Sequence, residues 1–124
     1  MTATSNKPHA KYVLAYAGSR TAKGGICVGT SLHHVADDTG DYACVLVGDK
    51  VRYADGSEAV VLSGAGTAAT LSGKRSVAVV GSHVSGGDHI VSTPIVGMEL
   101  LIDEDARPAG FLVPAHPSEL TEVA

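Results

Sequence analysis

The stretch VLVGDKVRYADGSEAVVLSGAG, residues 45–66, decides the fold of this chain. An apolar run ends in Gly-Asp, a short β-rich run follows, and Asp55 and Gly56 separate that run from another one. An Asp-Gly pair between two such runs is a strong signal for a β-hairpin. We therefore predict that strands over 51–53 and 59–62 pair across a turn at Asp55 and Gly56.

The first part of this stretch recurs on both sides of it. Each copy is an apolar run followed by Gly, by Ser or Asp, by a basic or His residue, and by a β-branched residue; the copies are AYAGSRT at 15–21, VLVGDKV at 45–51 and VVGSHV at 79–84. The spacings of their glycines are 48 − 18 = 30 and 81 − 48 = 33 residues, about one supersecondary unit each. Because Gly adopts the positive φ that tight reversals often need, each copy predicts a strand, a turn and a returning strand. We expect an all-β, pseudo-threefold arrangement of β-hairpin repeats, with repeat turns at Gly18, Gly48, Asp49, Asp55, Gly56 and Gly81.

Length and composition agree with one small β domain. The chain has 124 residues, of which 44% are hydrophobic, enough for one modest core. Its formal net charge of −4 argues against nucleic acid as a partner. One Phe, four Tyr and no Trp leave few rings for base stacking.

The expected domain organisation has three parts. Residues 1–10 are polar and predict a flexible lead-in, 11–105 form the repeat domain, and 106–124 form an extended tail that is rich in proline. No apolar run approaches the ~20 residues of a membrane span, and the polar start lacks the apolar core of a secretory signal. We expect synthesis in the cytoplasm, with Cys27 and Cys44 as buried thiols within strands.

The order of three strings resembles the PAAR-repeat proteins, which cap the spike of type VI secretion systems and related contractile injection machines. The strings are GGICVGTS at 24–31, the stretch 45–66 quoted above, and GKRSVAVVGSHVSGGDHIVSTPI at 73–95. The resemblance covers about residues 12–95 and is most specific over 48–66 and 77–92. It implies a cone of three β-hairpin repeats whose base sits on a trimeric VgrG-type spike protein, one copy per trimer, and whose vertex meets the target membrane transiently.

The chain departs from that family in two ways. The eponymous Pro-Ala-Ala-Arg corresponds to Ser-Val-Ala-Val at 76–79, so only one Ala is retained. Many members hold zinc near the vertex through three His and one Cys. Here Lys23 and Gly86 stand at two of those positions, and Tyr53 and Asp55 stand near the ligand positions of the middle copy. Residue by residue, no zinc ligand carries over.

We therefore expect no resident cofactor, and one alternative stays open. Zinc needs four N, S or O ligands in a tetrahedron, and His83 and His89, with His33 or His34, are the candidates for a rearranged site. Without a metal, packing and turn hydrogen bonds must hold the vertex, with a salt bridge expected there between Lys23 and Asp88.

Alternation along the strands gives six candidate core or spike-binding positions, because every second side chain of a strand lies on one face. They are Val60, Leu62, Val77, Val79, Val91 and Ile95. Catalytic motifs are poorly represented: there is no GxSxG sequence, and Gly73-Lys74 lacks both the upstream Gly and the following Ser or Thr of a phosphate loop. We expect no enzyme.

Two functions remain from the sequence. The first is a structural spike tip that caps the spike, helps pierce target membranes, carries an effector through its tail or sides, and leaves the cell through the secretion machine. The second is a free-standing small all-β binding module, with or without a metal. A tip on its own should expose apolar, strand-edged surface at one end, whereas a complete barrel should be a well-behaved monomer.

Overall fold

A computed structural model describes residues 9–31, 33–71, 75–97, 99–103 and 105–114. Over these residues the chain is all-β, as predicted, with a curled half-barrel sheet. The strands are β1 (His9–Val13), β2 (Arg20–Thr21), β3 (Ile26–Cys27), β4 (His34–Asp37), β5 (Gly40–Ala43), β6 (Lys50–Arg52), β7 (Glu58–Val60), β8 (Thr70–Leu71), β9 (Arg75–Ser76), β10 (His83–Val84), β11 (Asp88–Ser92) and β12 (Glu99–Asp103). In this part of the chain no helix is long and apolar enough to cross a membrane.

Three β-hairpins form the curled sheet. The first hairpin is β2–β3, the second is β6–β7 and the third is β10–β11; the strand order is β10-β11-β2-β3-β6-β7. The first and third hairpins meet where Thr21 pairs with Ile90, and the first and second meet where Cys27 pairs with Val51. An antiparallel bridge between Val61 and Val84 connects the two ends of the sheet. Each hairpin therefore contacts both of the others.

Three short segments before the hairpins bond to one another in a cycle. These central segments are residues 14–16, 44–46 and 77–79, and antiparallel bridges join each of them to the other two. At their midpoints the N–H of Ala15 donates to Ala78 O at 2.9 Å, the N–H of Ala78 to Val45 O at 2.8 Å, and the N–H of Val45 to Ala15 O at 2.9 Å. The cycle places three stretches that are far apart in sequence around a common centre.

The same turn follows each central segment. Gly18, Gly48 and Gly81 have φ of +97°, +96° and +108°, a backbone conformation that residues other than Gly rarely adopt. The next residue is buried, and its side-chain oxygen accepts a hydrogen bond from the backbone N–H three residues earlier; these oxygens belong to Ser19 (3.1 Å), Asp49 (2.8 Å) and Ser82 (2.9 Å). The Gly-Ser/Asp pair of the sequence pattern thus has a physical role in all three copies.

Three two-stranded ribbons lead the chain into the central segments. They are β4–β5, β8–β9 and β1–β12, all antiparallel. The first of them is a hairpin in which His34 pairs with Ala43 and Asp37 with Gly40. The third pairs the first described strand with the last, with His9 opposite Asp103.

The core consists of two hydrophobic clusters that share the central segments. Alternate side chains of these segments point in opposite directions: Ala15, Val45 and Ala78 belong to the cluster enclosed by the hairpins, and their neighbours belong to the cluster on the ribbon side. The buried members of the ribbon-side cluster are Leu14, Tyr16, Cys44, Leu46, Ala65, Val77, Val79, Ile95, Ile102 and Phe111. We use "hairpin side" and "ribbon side" for the two halves of the molecule.

The structure differs from the predicted boundaries at both ends of the repeat domain. β1 begins at His9, within the expected lead-in, because it pairs with β12. Phe111, in the expected tail, is buried at 3% exposure, and Leu112 N–H donates to Gly64 O at 2.7 Å. The tail therefore lies on the body of the protein at least through Leu112, while residues 1–8 and 115–124 fall outside the described part of the chain.

Candidate functional site

Two of the four candidate zinc ligands lie on the third hairpin. His83 and His89 are register partners across β10 and β11, and both residues are exposed. The Nδ1 atom of His83 is 2.8 Å from Ser63 Oγ, a hydrogen bond within the protein. This ring nitrogen is already engaged by a hydroxyl group.

The other two candidates lie at the start of the β4–β5 ribbon. His33 and His34 are exposed, and the Nδ1 atom of His34 is 3.1 Å from Asp41 Oδ1. Across the described ranges, no three His, Cys, Asp or Glu side chains are grouped so that they could hold a metal ion. The structure does not bring the two histidine pairs together into such a group.

A buried carboxylate joins the turns of the three hairpins instead. Asp88 is 4% exposed and accepts a hydrogen bond at each of its oxygens from a different hairpin. Oδ1 accepts from the backbone N–H of Lys23, in the first hairpin, at 3.0 Å, and Oδ2 accepts from the Tyr53 hydroxyl, in the second, at 2.7 Å. Oδ1 also accepts from the N–H of His89 at 2.8 Å. We call Thr21, Lys23, Tyr53, Asp88 and His89 the tip network.

Electrostatics within the tip network favour an ionised Asp88. Burial by itself raises the pKa of this carboxyl, but hydrogen bonds from Thr21, Tyr53 and the N–H groups of His89 and Lys23 outweigh it, so the pKa lies below the ordinary value of 3.8. For Tyr53, burial and the hydrogen bond to the Asp88 carboxylate raise the pKa to about 12. The phenol therefore stays protonated and donates to a charged acceptor, which is a strong type of hydrogen bond.

The salt bridge expected between Lys23 and Asp88 does not form. The Lys23 ammonium group instead donates to Gly86 O at 2.8 Å, and only its backbone N–H reaches Asp88. The reason is geometric: the side chain extends across to the turn of the third hairpin and lies in solvent there. Even so, Lys23 links the first and third hairpins twice.

Gly25 permits the close approach of the first two hairpins. A Cβ atom at this position would lie 2.5 Å from Val51 Cγ1, 2.7 Å from Tyr53 Cε1 and 3.0 Å from Thr21 Oγ1. Real Cβ atoms do not come that close to other atoms, so any larger residue would displace the Tyr53 ring. Gly25, the second Gly of the TAKGG sequence, is thus needed for the packing of the first two hairpins as well as for the turn.

The two carboxylates predicted at repeat turns have different surroundings. The Asp49 side chain is almost fully buried; it accepts from Thr30 Oγ1 at 2.6 Å and forms an ion pair with Arg75 at 2.9 Å. Asp55 is exposed and accepts from the Ser57 hydroxyl at 2.6 Å and from the N–H of Ser57 at 2.9 Å, and these two hydrogen bonds lower its pKa. The β6–β7 hairpin is present as predicted, but its loop spans 53–57 and is longer than a two-residue turn.

The candidate spike-binding positions separate into two groups. Val77, Val79 and Ile95 are buried in the ribbon-side cluster at 2%, 0% and 9% exposure, and therefore hold core positions. Val60 and Leu62 are partly buried, and Val91 is 46% exposed on the hairpin side. The six positions do not form one surface.

In two hairpins the fully buried side chains are not the candidate positions. In the second and third hairpins the inward side chains are Val61 and Ile90, both 0% exposed, and their predicted neighbours Leu62 and Val91 point away from the core. A continuous apolar run such as 59–62 does not by itself tell which alternate set is buried. Comparing the three repeats would have identified the buried positions. Cys27, Val61 and Ile90 are equivalent, because the carbonyl oxygen of each accepts from the N–H of the turn glycine in its own repeat.

The ribbon side is partly covered by residues after the repeats. The ring of Phe111 packs edge-on against Tyr12 with a centroid distance of 4.8 Å, and Arg107 lies 5.5 Å from its centre. Between the β4–β5 ribbon and the start of β8 a cavity of about 320 Å³ remains, lined mainly by apolar side chains that include Tyr16, Cys44 and Val77. Phe111 gave no motif in the sequence, because a lone aromatic residue in a proline-rich segment is not a recognisable pattern.

Comparison with known proteins adds no relative. Neither a protein-family model, nor a curated protein, nor a solved structure matches this chain.

Proposed function

We propose that this chain is a cone-shaped, pseudo-threefold spike tip that caps a trimeric VgrG-type protein of a contractile injection machine. The observation that carries the proposal is the cycle of hydrogen bonds among Ala15, Val45 and Ala78, together with the three matching turns that follow. A single chain with three similar units around one axis matches three identical subunits at once. A trimer axis is the natural partner for such an arrangement.

The ribbon side is the end that meets the spike. Each ribbon is a sheet of two strands, and no third described strand pairs with it. Its last residue before the central segment bonds further, as where the N–H of Val80 donates to Val13 O at 2.9 Å. Unpaired edges accept additional strands, and the end of a trimeric β-helix presents three sets of them. The three ribbons supply one edge region for each spike subunit.

Exposed apolar side chains on and beside the ribbons support the same orientation. Leu101 on β12 is 69% exposed, and Val96 just before this strand is 61% exposed. Apolar side chains in water become favourable contacts when a partner covers them. The spike would bury them.

The hairpin tips form the opposite end, which leads during injection. Their exposed residues are polar or small and include Lys23, Asp55 and Ser57. The tip performs no catalysis; it is made in the cytoplasm, loaded on the spike, expelled with it, and touches the target membrane transiently. Effector proteins bind separately, through the tail from residue 106 onward or through the sides of the cone.

The test is co-purification of the untagged chain with the C-terminal β-helical fragment of a VgrG-type spike protein from the same genome. Native mass measurement of the complex should give one copy of this chain per spike trimer. A chain that stays alone as a monomer while the spike fragment is trimeric and folded would overturn the proposal.

Two matched variants test the orientation. Leu101→Arg adds a charge to an exposed apolar position on the ribbon side, and Val91→Arg does the same on the hairpin side. We expect Leu101→Arg to weaken spike binding at least tenfold, as burial of an unpaired charge does, and Val91→Arg to leave it within twofold. The reverse ranking would show that the hairpin side faces the spike.

A free-standing binding module is the second candidate, favoured by one observation. The bridge between Val61 and Val84 connects the ends of the curled sheet, and Phe111 covers part of the ribbon-side cluster, as a self-sufficient small barrel would require. Such a module would be a stable monomer at high concentration and would not associate with the spike fragment.

A further inference from the structure

The resemblance implies a zinc ion at the vertex, and the residues there do not fit one. Zinc takes four N, S or O ligands, mostly Cys, His and carboxylate side chains. In the tip network His89 is exposed and reaches Asp88 through its backbone N–H, and the Asp88 oxygens already accept from Tyr53 and Lys23. No chemistry is assigned to a metal here.

We propose that the Asp88 carboxylate takes the place of the metal, and that the vertex is closed by a hydrogen-bonded centre made only of protein groups. The inference concerns the hairpin tips alone and does not depend on spike binding. It rests on the connections that the carboxylate makes to Lys23 and Tyr53, each of which joins two hairpins.

The carboxylate does what a vertex metal does, which is to hold three chain segments at one point. Asp88 belongs to the third hairpin, the N–H of Lys23 to the first and the hydroxyl of Tyr53 to the second. The Lys23 ammonium group adds a second link to Gly86 of the third hairpin. One buried anion therefore ties together all three turns.

The donors are arranged so that the buried charge is compensated. A buried ion without partners is costly, and such charges persist where several donors converge on them. Asp88 has two backbone N–H donors and one phenol within 3.0 Å, and no buried side-chain oxygen or nitrogen in the described residues lacks a partner. The arrangement is complete without an ion.

The close contact at Gly25 has the same consequence. Only a residue without Cβ lets the Tyr53 ring lie over the first hairpin, and this position brings its hydroxyl to Asp88. Tyr53, which stands near the ligand positions of the middle repeat, and Gly25 are thus both needed for the hydrogen bond to Asp88. A small ligand residue such as Cys would leave this space empty.

The first experiment is metal analysis and unfolding of the full chain, purified without a His-tag. We expect far less than one equivalent of zinc, and we expect the urea midpoint to be the same with EDTA, with added Zn²⁺ and with neither. Stoichiometric zinc, or a midpoint that EDTA lowers, would overturn the proposal. Weak zinc binding that leaves the midpoint unchanged supports it, because exposed histidines bind zinc adventitiously.

The second experiment measures amide hydrogen exchange, since two of the donors to Asp88 are backbone N–H groups. In Asp88→Asn the Lys23 N–H should exchange about tenfold faster, because its acceptor changes from a charged carboxylate to a neutral amide oxygen. The matched control is Asp55→Asn, whose carboxylate accepts from the N–H of Ser57 in its own turn. It should speed exchange at Ser57 and leave Lys23 unchanged.

Tyr53→Phe keeps the inference testable if Asp88→Asn does not fold. This variant retains the ring over Gly25 and removes only the hydroxyl that donates to Asp88. Faster exchange at Lys23 is expected here too, because the carboxylate loses one of its anchors. Unchanged exchange at Lys23 in both variants would mean that the carboxylate does not hold the tips together.

Discussion

Phe111 closes the ribbon-side cluster, so its truncation is the sharpest test of where the domain ends. Phe111→Ala removes a side chain that is 3% exposed and packs edge-on against Tyr12 at 4.8 Å. Buried Phe→Ala changes cost about 3–5 kcal/mol, and the aromatic pair adds to that loss. We expect the free energy of unfolding to fall by about 4 kcal/mol.

Urea unfolding followed by far-ultraviolet circular dichroism measures this loss. With a slope of about 2 kcal/mol per M, a loss of about 4 kcal/mol moves the midpoint down by about 2 M. The control is Val113→Ala, two residues further on and 63% exposed, which should change stability by less than about 0.5 kcal/mol. If Phe111→Ala costs no more than this control, the segment 105–114 does not belong to the core, and the tail begins at residue 106 as the sequence suggests.

Two further predictions follow from the pKa shifts. Because the pKa of Asp88 lies below its ordinary value of 3.8, the ionised carboxylate contributes stability that is complete above that value and is lost as the pH falls through the folded-state pKa. The wild type should therefore lose stability more steeply than Asp88→Asn as the pH falls below about 4, because only the wild type loses an ionised carboxylate from the tip network; equal slopes would contradict this. Burial raises the pKa of the Cys27 thiol to about 12 and also raises that of Cys44, so neither should react with a disulfide reagent at about pH 8 until urea unfolds the chain. Rapid labelling of the folded protein would refute the buried position of these thiols.

The hairpins could be predicted from the sequence because their signals are local. Gly18, Gly48 and Gly81 need positive φ, and the side chain that follows each of them caps the turn, so the pattern recurs wherever the turn does. Buried Cys27 and Cys44 also follow from composition and strand context. Short-range chemistry of this kind is visible in a single sequence.

The parts that the sequence did not give depend on contacts between distant residues. The β1–β12 ribbon needs both ends of the chain, and Asp88 meets Tyr53 across 35 residues. Which of Val60, Val61 and Leu62 points inward is decided by the neighbouring hairpin, since all three are apolar. No period in a single strand contains that information.

The pairing of the first strand with the last has a consequence for how the chain acquires its structure. His9 and Asp103 are 103 − 9 = 94 residues apart in sequence, yet they are register partners. During synthesis β1 leaves the ribosome long before β12 exists, so its edge stays open until residue 103 has been added. Contacts of such long range are slow to form, so the β1–β12 ribbon should form late in folding. Each of the other two ribbons is formed by strands that are adjacent in sequence. The fold should therefore tolerate a new chain break at the β4–β5 turn when the N- and C-termini are joined, as circular permutation at exposed turns generally allows.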